Sequence, residues 1–190
     1  MHVVAFNGSP RKEGNTALLL RTVLAVIENA GIGTELISLA GARLRGCTAC
    51  GACIKNKNKR CIFDDDLLNA CVEKMDAADG ILLGSPTHFA DITPDIKALI
   101  DRAGYVTRAN GMLLRRKVGA AVVAVRRAGA IHAFDSLNHF FTIAEMITVG
   151  SSYWNIGIGR EIGEVEHDDE GIGTMRTLGR NMAWLLQKLA

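Results

Sequence analysis

Four of the chain's five cysteines fall in one short segment, as Cys47-Thr-Ala-Cys50-Gly-Ala-Cys53 followed by Cys61. The C-x2-C-x2-C spacing brings three thiolates to one side of a tight loop, and a fourth some residues on can close a four-ligand set. Cubane iron–sulfur clusters use this local pattern, although the ferredoxin run has a shorter last gap and a proline after its final cysteine. Here seven residues separate Cys53 from Cys61, and Ile62 follows. Four cysteines also suit tetrahedral zinc, and an oxidising compartment would join them as disulfides. Three chemistries are open at this point. Cys71, on an amphipathic stretch, reads as an inert core thiol.

Three loops hold the other chemistry-bearing residues. Asn7-Gly-Ser-Pro-Arg-Lys-Glu-Gly-Asn-Thr16 aims hydroxyls, glycine-turn amides, a helix N-terminus and Arg11 at one anion. A phosphate is held in this way, by orphan N–H donors and the helix dipole with added side-chain donors. The loop has no Gly-Lys-Ser/Thr ending and no G-x-G-x-x-G, so it is neither a P-loop nor a dinucleotide fingerprint. The plainer reading is a solvated strand–helix loop capped by Asn15.

Gly84-Ser-Pro-Thr-His-Phe-Ala-Asp91 supplies a proline-stiffened backbone and an aromatic, suited to lie along a flat heterocycle. A lone loop histidine such as His88 is more often structural than functional. The third loop runs from Arg126 to Ala130. Tyr153 and Trp154 could stack on a ring, yet such aromatics more often fill a core or an interface. The acidic run Glu166 to Glu170 reads as the N-terminal region of a helix.

Strands and helices must position these loops. Apolar runs at Val3–Phe6, Glu35–Leu39, Gly80–Gly84, Val118–Val125 and Ile147–Ser152 read as strands. Helical periodicity follows from Thr16, from Leu67 to Met75, from Pro94 to Ala103, from Ile131 to Met146 and from Gly171 to Lys188. Gly104 to Arg116 reads as a loop. The strands lack polar alternation, so both faces are buried and the sheet is parallel. The predicted fold is α/β: a doubly wound five-stranded parallel sheet with helices on both faces. Ligands then bind beyond the carboxyl ends of the strands, where the three loops lie.

A length of 190 residues predicts one domain over 1–190, with residues 46–64 as a cysteine-rich loop insertion. The net charge of +2 gives no drive toward nucleic acid or membrane. The first residues turn polar by Asn7, so no secretory leader is expected and a cytoplasmic location is. In that compartment clustered cysteines favour metal or catalysis over disulfides. Zinc sites pair knuckles farther apart, which leaves the iron–sulfur reading ahead. Lys55, Lys57, Lys59 and Arg60 would then offset cluster charge or dock an acidic partner such as a ferredoxin, unless they are only a solvated basic loop.

Together the loops resemble the flavodoxin-like NAD(P)H-dependent FMN reductase family, and with the cysteines its iron–sulfur flavoprotein branch. The likeness rests on Gly8-Ser-Pro-Arg11 with Asn15-Thr16, Gly84-Ser-Pro86 with Lys97 and Asp101-Arg102, the cysteine motif with Asp65-Asp66, Gly150-Ser-Ser-Tyr-Trp-Asn155 and Asn181-Met-Ala-Trp184. It implies that Ser9, Arg11, Asn15 and Thr16 bind the FMN phosphate. Pro86, Thr87, His88 and Phe89 would line the isoalloxazine, and Arg127, Ala128 and Gly129 would close its far edge. His88 stands where relatives commonly carry tyrosine. Cys47, Cys50, Cys53 and Cys61 would hold a [4Fe–4S] cluster. No side chain need act as nucleophile, because the flavin carries the chemistry.

The expected activity passes electrons between a reduced donor, NAD(P)H or ferredoxin, and an acceptor, in a homodimer or homotetramer. The alternatives are a cluster-free FMN or quinone reductase, a flavodoxin-like electron carrier without a hydride donor, and a zinc-stabilised binding module without flavin.

Overall fold

The computed structural model describes residues 1–190. Six strands form one parallel sheet: β1 (His2–Asn7), β2 (Gly33–Ser38), β3 (Gly80–Pro86), β4 (Val118–Val125), β5 (Ile147–Thr148) and β6 (Ile156–Ile158). The order is β2-β1-β3-β4-β5, with β6 also paired to β4. Strand order thus reverses beside β1, between β1 and β3, and a doubly wound sheet opens its ligand crevice there.

Alternation along each strand explains the two covered faces. On β1, Val3 and Ala5 face one apolar cluster while Val4 and Phe6 face the other; on β4, Val118, Ala120 and Val122 oppose Ala121 and Val123. Helices α1 (Asn15–Asn29) and α6 (Asp169–Leu189) cover the first face. Helices α3 (Leu68–Ala77), α4 (Pro94–Ala109) and α5 (Ala130–Ile143) cover the second. A short helix of five residues, α2 (Ala52–Asn56), lies inside the cysteine segment.

The fifth lane of the sheet differs from expectation. Instead of one strand over 147–152, two short strands share one neighbour, Ile147–Thr148 on Val118–Gly119 and Ile156–Ile158 on Val123–Val125. Seven residues, 149–155, leave the sheet where β4 has only three, 120–122. Asn155 bridges this gap: its Nδ2 donates to the Ala121 carbonyl at 2.9 Å and its own carbonyl accepts from Val123 N–H at 2.9 Å. A side-chain amide thus replaces a missing ladder bond, as a buried carbonyl requires. The extruded segment carries Tyr153 and Trp154, which are exposed and meet edge to face at 4.6 Å.

Helix α4 also runs past the expected end at Ala103. Val106 and Thr107 prolong its buried stripe, so the 104–116 stretch is helical through Ala109. Helix α6 starts at Asp169, capped by Asp168, whose carboxylate accepts from Gly171 N–H at 3.0 Å. No helix is long and apolar enough to cross a membrane.

Candidate functional site

The β1–α1 loop folds on its own side chains. Asn7 Oδ1 accepts from Ser9 N–H at 3.0 Å, and Ser9 Oγ accepts from Arg11 N–H at 3.1 Å. Gly8 N–H donates to the Gly84 carbonyl at 2.8 Å, joining this loop to the end of β3. A Cβ on Gly8 would lie 2.6 Å from Ile96 Cβ, so only glycine permits that approach. Helix α1 then begins at Gly14 with no capping side chain and no acid in its first turn. Its N-terminal N–H groups and partial positive charge are left for an outside anion.

These features open onto one cleft at the carboxyl ends of β1, β3 and β4. Ser9, Arg11, Asn15, Thr16, Pro86, Thr87 and His88 all line it. So do Arg126, the first residue of the third loop, and Arg160, which the sequence did not single out; the lining holds three arginines and no carboxylate. Two buried hydroxyls, Thr16 Oγ1 and Thr87 Oγ1, have no hydrogen-bond partner. Buried polar groups are almost always paired, so two orphans on one cationic cleft point to an absent acceptor-rich ligand.

Not every expected residue meets the cleft through its side chain. Asn15 Nδ2 donates to the carbonyls of Gly159 and Glu161 at 3.0 and 2.9 Å, and Oδ1 accepts from Gly163 N–H at 2.9 Å. Its amide therefore holds the 159–163 loop, leaving the backbone N–H to face an anion. Arg127, Ala128 and Gly129 line an adjoining cavity of about 320 Å³ with Tyr153 and Trp154. Phe89 is fully exposed at the tip of a tight turn closed by His88 and Asp91, whose N–H groups and carbonyls pair at 2.8 and 3.0 Å. Phe89 and Ala90 both take positive φ there, 47° and 64°, a geometry usually left to glycine or asparagine.

The four cysteines Cys47, Cys50, Cys53 and Cys61 line a second cavity of about 200 Å³. All stand as free thiols, and no three metal-ligating residues are grouped to hold a single ion. Donors already reach two of the sulfurs. Ala49 N–H donates to Cys47 Sγ at 3.4 Å, and Arg102 Nη2 donates to Cys61 Sγ at 3.3 Å. Burial raises the Cys53 thiol, the local N–H groups only partly opposing it. Cys71 lies away from this cavity in the core, where burial pushes its thiol up to about 12.

Asn69 locks the last cysteine in place. Its Oδ1 accepts from Cys61 N–H at 2.8 Å while Nδ2 donates to the carbonyls of Cys61 and Phe63. Arg102 pairs with Asp66, both side chains being almost fully buried. Burial alone would raise the Asp66 carboxyl, yet the Arg102 guanidinium and Leu68 N–H outweigh it and hold it below its ordinary value. Neither Asn69 nor the role of Arg102 was read from the sequence. The available signal was a charged residue in the stripe Ile96, Leu99, Ala103, Val106.

The basic residues between the last two cysteines, open to three readings as charge offset, partner docking or solvated loop, do not support the first. Lys59 pairs with Asp76 at 2.9 Å, and Arg60 pairs with Asp64 at 2.7 Å and with Glu73. None of Lys55, Lys57, Lys59 and Arg60 lines the cysteine cavity.

A sequence profile described as NADPH-dependent FMN reductase matches residues 1–161. The chain belongs to this family. An iron-sulfur flavoprotein of Methanocaldococcus jannaschii is 40% identical over 190 residues, with 96% of each chain covered. Among solved structures, RosB with bound 8-demethyl-8-formylriboflavin-5'-phosphate superposes at a TM-score of 0.76 and 18% identity, over 100% of this chain and 80% of that one. A flavodoxin from the domain Archaea gives 0.65 at 14% identity, over 98% and 99%. Members of the NADPH-dependent FMN reductase family are flavin oxidoreductases, and this chain is an oxidoreductase of that type with a flavodoxin-like fold.

Proposed function

We propose that the cleft at Ser9, Arg11, Thr16 and Thr87 holds FMN, and that the four cysteines hold a [4Fe–4S] cluster to which the flavin passes electrons. The observation that carries the flavin half is the pair of orphaned hydroxyls on a cleft with three arginines and an uncapped helix end. Thr16, the first N–H groups of α1 and Arg11 bind the phosphate dianion. Thr87 and the proline-stiffened backbone after β3 orient the ring, with Phe89 at its rim and the Arg127–Gly129 loop beyond it. FMN, when bound, supplies hydride acceptance and single-electron release.

The cysteine half rests on convergence. Four thiol sulfurs stand in for thiolate ligands around one cavity, and N–H donors of the kind that stabilise cluster sulfurs already reach two of them. Thr93, at the N-terminus of α4, touches the phosphate loop, and Arg102, nine residues on, touches Cys61. That is roughly 14 Å of helix, so one rigid rod spans both sites. NADPH or a reduced ferredoxin serves as donor, with Lys55 and Lys57 left free of ion pairs for an acidic partner.

Flavin, iron and sulfide analysis of anaerobically purified protein tests the reading. It requires one FMN and four irons with four sulfides per chain. Absence of flavin after FMN reconstitution would sink the whole proposal. Flavin without iron would favour the second reading, a cluster-free NADPH-dependent reductase.

A further inference from the structure

We infer that Arg102 is the cation that sets the reduction potential of the centre bound by the four cysteines, acting through its hydrogen bond to the Cys61 sulfur. This rests on the cluster reading above. The sequence pointed instead to the basic run Lys55 to Arg60, but Lys59 and Arg60 are committed to ion pairs and none of that run lines the cavity.

Arg102 is the one charged side chain in the lining of the cysteine cavity. It is also only 2% exposed, the one charged residue on a buried helix stripe that is apolar apart from Thr107. A buried guanidinium is costly unless its donors are satisfied. Nη1 donates to Asp66 and to the Arg45 carbonyl, and Nη2 donates to Cys61 Sγ at 3.3 Å and to the Phe63 carbonyl at 3.3 Å. Nε is buried with no acceptor at all. A strut serving only Asp66 would not explain a donor on a sulfur, nor an unsatisfied N–H beside the cavity.

The consequence is electrostatic. Reduction adds one negative charge to the centre, and a donor aimed at a ligand sulfur stabilises that charge more than the oxidised state. Water screens the charges of Arg102 and Asp66 little, because both side chains are buried. Asp66 works the other way. Its carboxylate accepts from Nη1, the other terminal nitrogen from the one on Cys61, and partly cancels the positive field. Arg102 and Asp66 should therefore move the potential in opposite directions, which a purely structural pair would not do.

The test is an anaerobic dithionite titration with mediator dyes, following the reduced-cluster resonance in wild type, D66N, R102K and the double variant R102M/D66N. The double variant removes the pair without stranding a buried charge. Relative to wild type, R102M/D66N should shift the reduction equilibrium about tenfold toward oxidised, or about 59 mV for one electron. D66N should shift it the opposite way, R102K should fall between wild type and the double variant, and the flavin midpoint should stay unchanged. A double-variant midpoint within threefold of wild type, or both variants moving the same way, overturns the inference. So does loss of iron from R102M/D66N with full retention in R102K, since Arg102 would then only hold the loop. Wild type lacking iron and sulfide after reconstitution would remove the cluster reading itself, and this inference with it.

Discussion

The Thr93 hydroxyl, at the start of α4, donates to the carbonyl of Gly8 at 2.7 Å. The phosphate-facing loop after β1 and the ring-facing loop after β3 are thereby one body, with Ser85 Oγ accepting from Thr93 N–H at 3.1 Å as a second tie. Replacing Thr93 with alanine removes a helix cap and leaves a buried carbonyl unpaired. The expected cost is about 1–2 kcal/mol in urea unfolding. FMN binding should weaken with it, and T93S should restore both.

The orphaned hydroxyls give an unusual sign. A buried hydroxyl without a partner costs stability, so T16V and T87V should leave the flavin-free protein as stable as wild type or slightly more so. Each variant should nonetheless weaken FMN binding by about tenfold, the loss of one hydrogen bond of roughly 1.4 kcal/mol to a charged or polar acceptor. Thermal unfolding without flavin and fluorescence titration with it separate the two effects.

Asn15 is expected to act through the loop it holds. N15A removes the bonds to Gly159, Glu161 and Gly163. It should cost about 2–3 kcal/mol of stability, at roughly 1 kcal/mol per bond. Release of the 159–163 loop should also raise its hydrogen-exchange rate well above that of neighbouring β6.

Acid should loosen the cysteine segment first. The Asp66 carboxyl is held below its ordinary value in the folded chain. It therefore binds protons less readily folded than unfolded, and its stabilisation is fully present above the ordinary value near pH 4. That stabilisation is lost as pH falls through the depressed folded value. D66N should flatten this acid limb of the stability profile. It should also cost about 3 kcal/mol or more at neutral pH, because Arg102 is left buried without its counter-ion.

The strands that carry the cleft were legible because both their faces are apolar and glycines or prolines bound them. Gly80–Gly84 and Val118–Val125 appear in the structure almost as read. The fifth lane was not, since a run such as Ile147–Ser152 carries no sign that Asn155, just past its end, will rejoin the sheet. Helix α4 was cut short at Gly104, although the Val106 stripe continues through it.

In the site, residues that act through backbone or loop chemistry were readable, because glycine, proline and hydroxyl residues mark such loops. Partnerships across long sequence separations were not. Arg102 reaches Cys61 over 41 positions and Asn15 reaches Glu161 over 146. Arg160 joined the cleft only because the end of β6 is paired beside the end of β4.

The number of electrons that the protein accepts tests the central claim most directly. An anaerobic dithionite titration of FMN-reconstituted protein should consume two electrons for the flavin and one for a [4Fe–4S] centre, three per chain. C61A, which removes the cysteine that Asn69 and Arg102 hold, should bring that count to two while leaving the flavin bands intact. A wild-type count of two, unchanged by C61A, would contradict the account and leave a flavin reductase without a cluster.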